Sequence, residues 1–135
     1  MIKLLYLTKG YNDIINLTPD IEKVVEESKV KDGIALIFVS GSTAAITTLE
    51  YEPNLIQDFK DILEKLIPEK ADYRHNETWA DDNGYAHLRS SLIGQSLVVP
   101  IENSKLVLGT WQQIVLIDFD NRPRERKVII KIIEG

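Results

Sequence analysis

Two periods run along the chain. Lys3 to Leu7 and Asn12 to Leu17 read as short strands on either side of a Lys9-Gly10 turn. Ile34-Ala35-Leu36-Ile37-Phe38-Val39 is apolar at every position. Gly33 before it, Ser40-Gly41-Ser42 after it and its β-branched members predict a strand buried on both faces rather than a core helix. Thr43 to Tyr51 is rich in Thr and Ile and predicts another strand. Ser96 to Ile101, Leu106 to Leu108 running on toward Trp111, Gln113 to Phe119, and Glu125 to Ile133 complete the set, with an Asp120-Asn121 turn before the last.

The helical period appears twice at length. Ile21, Val24, Val25 and Ser28 fall on one face of a helix opened by Thr18-Pro19-Asp20, where Thr18 can cap a free amide and Pro19 suits the first position. Lys29, Lys31 and Gly33 close it. Pro53 opens a second helix whose Leu55, Ile56, Phe59, Ile62, Leu63 and Leu66 form a wide apolar stripe, and Pro68 follows its end. Glu69 to Gly84 has no period and reads as a long polar loop, a common place for function. Tyr85 to Ile93 predicts a short helix ending at Gly94. Two main helices among strands that follow one another in sequence predict one α+β domain over residues 1–135, with a largely antiparallel sheet.

Composition narrows the function classes. The chain has 135 residues, is 44% hydrophobic and carries a net charge of −5, so it is a folded domain without the basic footprint that nucleic acid or an anionic membrane requires. It has no cysteine, which removes disulfides, thiolate metal sites and a cysteine nucleophile. No secretory signal is visible, and no apolar run approaches the roughly 20 residues of a membrane helix. The chain reads as soluble and cytoplasmic, and the Asn-x-Thr triplets at Asn16 and Asn76 as chance matches.

Several groups could carry chemistry. The two histidines, His75 and His87, flank Asp81, Asp82 and Asn83. Imidazoles with a carboxylate make an ordinary set of ligands for a divalent metal. The alternative is a solvated loop histidine and one that packs a helix end, with the Asp-Asp-Asn-Gly stretch capping that helix. Ser40-Gly41-Ser42-Thr43-Ala44 is either a bend that holds an anion on its hydroxyls and amides or a plain strand-to-strand corner. Arg122, Arg124 and Arg126 recur with period two, and the same parity continues as Val128, Ile130 and Ile132. That places guanidinium groups where the core opens, suited to phosphate or carboxylate, or else on a solvated edge. Gly109-Thr110-Trp111-Gln112 interrupts two apolar strands, and Trp111 is a core plug or a stacking platform.

Read together, these segments resemble a known family. Gly109-Thr110-Trp111-Gln112 with Ile114, preceded by Ser96 to Ile101, resembles the signature of the YjbQ-like family, the secondary thiamine-phosphate synthase family. Ala86-His87-Leu88 with Gly94, Tyr73 with His75, the Asp82-Asn83 pair, Ser42-Thr43-Ala44-Ala45 with Glu50, and Pro123-Arg124 with Arg126 match it in the same order along the whole chain.

The resemblance implies an α+β fold with sheets packed face to face, assembled as a homotrimer. It implies a polar pocket built from the histidine loop, the small-residue bend and the Gly-Thr-Trp-Gln turn, with a divalent metal such as zinc or magnesium in some members. The activity it implies is weak coupling of a pyrimidine diphosphate to a thiazole phosphate. On that expectation Arg124 and Arg126 hold phosphate, Ser42 and Thr43 donate hydrogen bonds to it, and Trp111 and Gln112 line the substrate. His75, His87 and Asp82 hold the metal, or His87 acts as general acid or base beside Asp82. The family usually has a His at the position of Gly41 and a Gly at that of Ser104. The missing imidazole leaves a second expectation open, a trimeric protein that binds a metal or ligand without catalysis, and a third, a purely structural subunit.

Overall fold

A computed structural model of the chain describes residues 1–135. The elements run β1 (Ile2–Thr8), β2 (Asp13–Asn16), α1 (Thr18–Ser28), β3 (Gly33–Ser40), β4 (Ala44–Leu49), α2 (Pro53–Leu66), α3 (His75–Trp79), α4 (Gly84–Ile93), β5 (Ser96–Glu102), β6 (Lys105–Leu106), β7 (Gln113–Asp118) and β8 (Arg124–Glu134). Five strands form one sheet in the order β1-β8-β3-β5-β6, and three form a second in the order β2-β7-β4. Every pair is antiparallel, as the sequence pattern predicts.

The two sheets pack face to face. Ala35, Ile37 and Val39 of β3, Val128 and Ile130 of β8, and Val99 and Ile101 of β5 meet Ala44, Ile46, Ile114 and Leu116 of the small sheet. Leu17, Ile21 and Val25 from α1 close the side of this core. Burying each of the Val, Leu and Ile side chains contributes about 1.5–3 kcal/mol. The other face of the small sheet presents Ile14, Ala45, Val115, Ile117 and the nearby Phe119 to Leu63 of α2 and to Tyr85 and Ala86 of α4. The small sheet is therefore the middle of three layers and is apolar on both faces. That explains the unbroken run Ile114 to Ile117.

Four local expectations need correction. β3 is not buried on both faces: its inner residues are in the core, but Ile34 and Phe38 on the outer face are exposed. Thr18 does not cap α1; its hydroxyl accepts from the amide of Ile114 at 2.8 Å, while the residue preceding the helix, Leu17, has no side-chain acceptor. α1 ends on Lys29, in the left-handed region at φ 62°, so Gly33 is not its cap. Gly33 is instead tight against the backbone of β8, where an added Cβ would meet the Ile133 carbonyl. The loop after α2 is also less irregular than its composition suggests, because α3 forms inside it. No helix is long and apolar enough to cross a membrane.

Three connections pass between the sheets at one end of the sandwich: β1 to β2, β3 to β4 and β7 to β8. They are tied together by backbone bonds: Phe119 N–H to Thr43 O at 2.9 Å, Asn12 N–H to Asp118 O at 2.8 Å and Tyr11 N–H to Asp120 O at 2.7 Å. This end carries the polar residues considered next.

Candidate functional site

Asp118 ends β7 and Arg126 lies in β8, and a short reversal of chain brings them side by side. Arg126 Nε donates to Asp118 Oδ2 at 2.7 Å and its Nη2 to Asp118 Oδ1 at 2.8 Å. Asp118 also accepts from the Thr8 hydroxyl and from the Asp120 amide. Arg126 Nη2 donates as well to Thr43 Oγ1 at 2.6 Å, and that hydroxyl donates to Asp120 Oδ2 at 3.0 Å. Arg124 Nε reaches the same Asp120 oxygen at 2.8 Å. The other Asp120 oxygen accepts from the Asn121 amide at 2.8 Å and from Asn83 Nδ2 at 3.3 Å.

Both carboxylates are fully buried, so each needs this many donors to offset its lost hydration. Burial alone would raise the Asp120 pKa. The bonds from Asn121, Asn83, Thr43 and Arg124 outweigh it and hold the carboxyl below its ordinary value. Two arginines and two aspartates make the cluster close to neutral.

The histidine loop lies against this cluster. Gly84 N–H donates to Asn76 Oδ1 at 2.9 Å and fastens the start of α4 to α3. Position 84 must be small, because an added Cβ would stand 2.7 Å from Tyr73 Cβ. The fastening brings His75 and His87 together, ring centroids 4.3 Å apart and planes tilted by 43°. His75 Nδ1 and Asn83 Oδ1 are buried without a protein partner. Burial and the neighbouring His75 lower the His87 pKa, against a weaker opposing pull from Asp120 and Asp81. His87 is therefore mainly neutral at pH 7 and able to accept a proton.

The structure thus brings together Thr43, Arg124, Arg126, His75 and His87, with Ser42 exposed beside Thr43. The inward parity of Arg124, Arg126, Val128 and Ile130 holds, whereas Arg122 stays in the exposed turn. Three expected members lie elsewhere. Asp82 is exposed, has a left-handed backbone at φ 55°, and faces a separate hollow of about 550 Å³ with Tyr11, Glu69, Asp72 and Asn121. Trp111 is 71% exposed, and Gln112 is engaged with the Gly109 amide and the Thr48 hydroxyl. Both precede β7, about 20–23 Å along the chain from Asp118 at the rise of an extended strand. The trio His75, His87 and Asp82 does not fit a metal centre, since no group of three His, Asp or Glu side chains in the fold is placed to hold an ion.

Asp118, Thr8 and the buried role of Asp120 are not apparent from local motifs. The one signal for the aspartates is their place at the end of an unbroken apolar strand, where a carboxylate must find a partner.

A face-to-face pair of antiparallel sheets, with an Arg–Asp cluster at one end under a histidine loop, defines the class of domain. The chain belongs to the UPF0047 family of YjbQ-like proteins, whose model matches residues 3–135. A UPF0047 protein of Archaeoglobus fulgidus is 40% identical over 121 residues, 90% of this chain and 91% of that one. The UPF0047 protein YugU of Bacillus subtilis is 35% identical over 136 residues, covering 98% and 99%. The crystal structure of a YjbQ/UPF0047 family protein from Clostridium acetobutylicum superposes with a TM-score of 0.90 at 41% identity, covering 98% of this chain and 100% of that one. A YjbQ-like protein from Sulfolobus solfataricus gives a TM-score of 0.90 at 33% identity, covering 99% and 97%.

Proposed function

We propose that the chain is a small-molecule enzyme acting on a phosphorylated substrate, with weak thiamine-phosphate-synthase-like coupling as the reaction to test first. One observation carries the reading: a half-buried imidazole with lowered proton affinity, His87, stands over a network that presents Thr43, Arg124 and Arg126. Arg124 keeps a third of its side chain exposed and, with the Ser42 hydroxyl, can hold a phosphate oxygen. His87 takes or returns a proton as general base or acid. Asp118 and Asp120 orient the guanidinium groups. No step is routed through a metal, because the donors for one are not gathered.

The test is turnover of a pyrimidine diphosphate with a thiazole phosphate by wild type and His87→Ala. A loss of about 100-fold in His87→Ala supports the reading. Turnover that is absent in wild type, or unchanged in the variant, rejects it. A second reading is a binder without catalysis, favoured by the fact that both guanidinium groups are already paired with carboxylates. It predicts that phosphate raises the melting temperature with no turnover at all.

We also propose that copies of the chain associate, as a trimer, through the outer face of the large sheet. Leu5, Leu7, Phe38 and Val98 lie on that face and are exposed, Leu7 at 80% and Val98 at 55%. Lys3, Glu125, Lys127 and Lys131 are interspersed with them on the same face, which gives it the mixed apolar and charged character of an association surface.

A further inference from the structure

Arg126 is buried, and its donors are unequally used. Nε and Nη2 are bound to Asp118 and Thr43. Nη1 makes no hydrogen bond with the protein, yet it is not among the buried unpartnered atoms, so it reaches the surface. What stands in front of it is Gly41. A Cβ added at position 41 would lie 2.8 Å from Nη1 and 3.8 Å from Cζ, with nothing else within 4 Å.

Gly41 has no conformational reason to be glycine. Only Gly10 and Gly94 among the glycines have positive φ, and position 41 is exposed. The guanidinium cannot easily give way to a side chain there, because three bonds of 2.6–2.8 Å fix its other two nitrogens. The absent side chain is therefore an opening onto one N–H edge of a rigidly held, charged donor.

Resting on the phosphate reading above, we infer that Gly41 is a specificity element: it opens Arg126 Nη1 to one oxyanion oxygen of the substrate. The surrounding charge sets the character of this contact. Asp118 and Asp120 balance Arg126 and Arg124, so the port adds direction rather than net attraction.

The experiment is a titration of inorganic phosphate, and separately of formate, into wild type and Gly41→Ala. The readouts are calorimetric affinity and the side-chain nitrogen resonances of Arg126 in arginine-labelled protein. Closing the port removes one hydrogen bond to a charged donor, so phosphate affinity falls about ten- to hundredfold in Gly41→Ala. The Arg126 resonances move on titration of wild type and stay still in the variant. Equal phosphate affinity in both proteins overturns the port and leaves the phosphate reading standing. Formate binding that is lost in Gly41→Ala, with no phosphate binding to wild type, keeps the port and removes the phosphate reading. Neither probe moving the wild-type Arg126 resonances overturns the port, and that measurement holds even where Gly41→Ala fails to fold; absence of calorimetric phosphate binding to wild type overturns the phosphate reading as well.

Discussion

Asp118 grips Arg126 through both carboxylate oxygens, at 2.7 and 2.8 Å, where the aspartate side chain is wholly buried and the arginine 8% exposed. Such a pair is weak evidence for net stability, because desolvation offsets most of the attraction, but breaking one half strands the other charge. Asp118→Asn keeps the shape and removes the charge, leaving Arg126 in the core. The expected cost is about 3–5 kcal/mol. A chain of this size should then lose about 10 °C or more in melting temperature. Thermal unfolding checks it, and a loss below about 1 kcal/mol would mean that Arg126 swings out to water.

Acid should destabilise the protein in two separate windows. His87 has a lowered pKa in the fold, so near and just below its ordinary value of 6.5 the unfolded chain holds more protons than the folded one. Stability therefore rises with pH there and falls as pH drops through the folded value. Asp120 is also lowered, so its contribution is complete above its ordinary value of 3.8 and is lost below that. His87→Gln should flatten the upper window and leave the lower one. Urea unfolding at each unit from pH 7 down to pH 2 measures both. An unchanged slope between pH 7 and 5 in the variant would place the titration on another group.

Gly84→Ala tests how the histidine pair is assembled. The new methyl would meet Tyr73 Cβ at 2.7 Å and Asn76 Oδ1 at 2.9 Å, the atom that accepts the Gly84 amide. Overpacking of this kind costs about 1–3 kcal/mol. It should also part the rings that now lie 4.3 Å apart. The measurement is the pair of histidine titration curves by NMR: in Gly84→Ala the His87 pKa should move back up toward its ordinary value. A variant with unchanged curves would show that the fastening is dispensable.

How much of this is legible in the sequence depends on distance along the chain. The Arg124–Arg126 parity is local, continues into Val128 and Ile130, and survives folding. The two histidines share one polar segment, and their proximity follows from it. The partners of the arginines are another matter. Asp118 and Arg126 are eight residues apart across a reversal, and Thr8, which also binds Asp118, is 110 residues away. No period or spacing encodes a meeting that three crossings between sheets create. Trp111 misleads for the opposite reason: its motif is distinctive, but a strand's length separates it from the cluster. Asp82 is adjacent in sequence to Asn83, yet a left-handed backbone turns it toward another hollow, while Asn83 binds Asp120.

The outer face of the large sheet gives the last prediction. Phe38 pairs with Ile129 on one side and with Ser96 on the other, next to the Leu36–Val98 pair. Its side chain is 38% exposed although it sits on a central strand, β3, flanked by β8 and β5. Side chains in the middle of a sheet face lie beyond the reach of edge fraying, so on the association proposed above Phe38 would stand at the centre of the contact. If copies of the chain meet there, Phe38→Glu buries a charge at the centre of the interface, where an unpaired carboxylate is far costlier than at a rim. Light scattering coupled to gel filtration should then report a trimer for wild type and a monomer for Phe38→Glu. Lys65→Glu, exposed on α2 and so on the far side of the small sheet, should leave the mass unchanged. Monomeric wild type at micromolar concentration would remove the interface, and a trimeric Phe38→Glu would move it to a different surface.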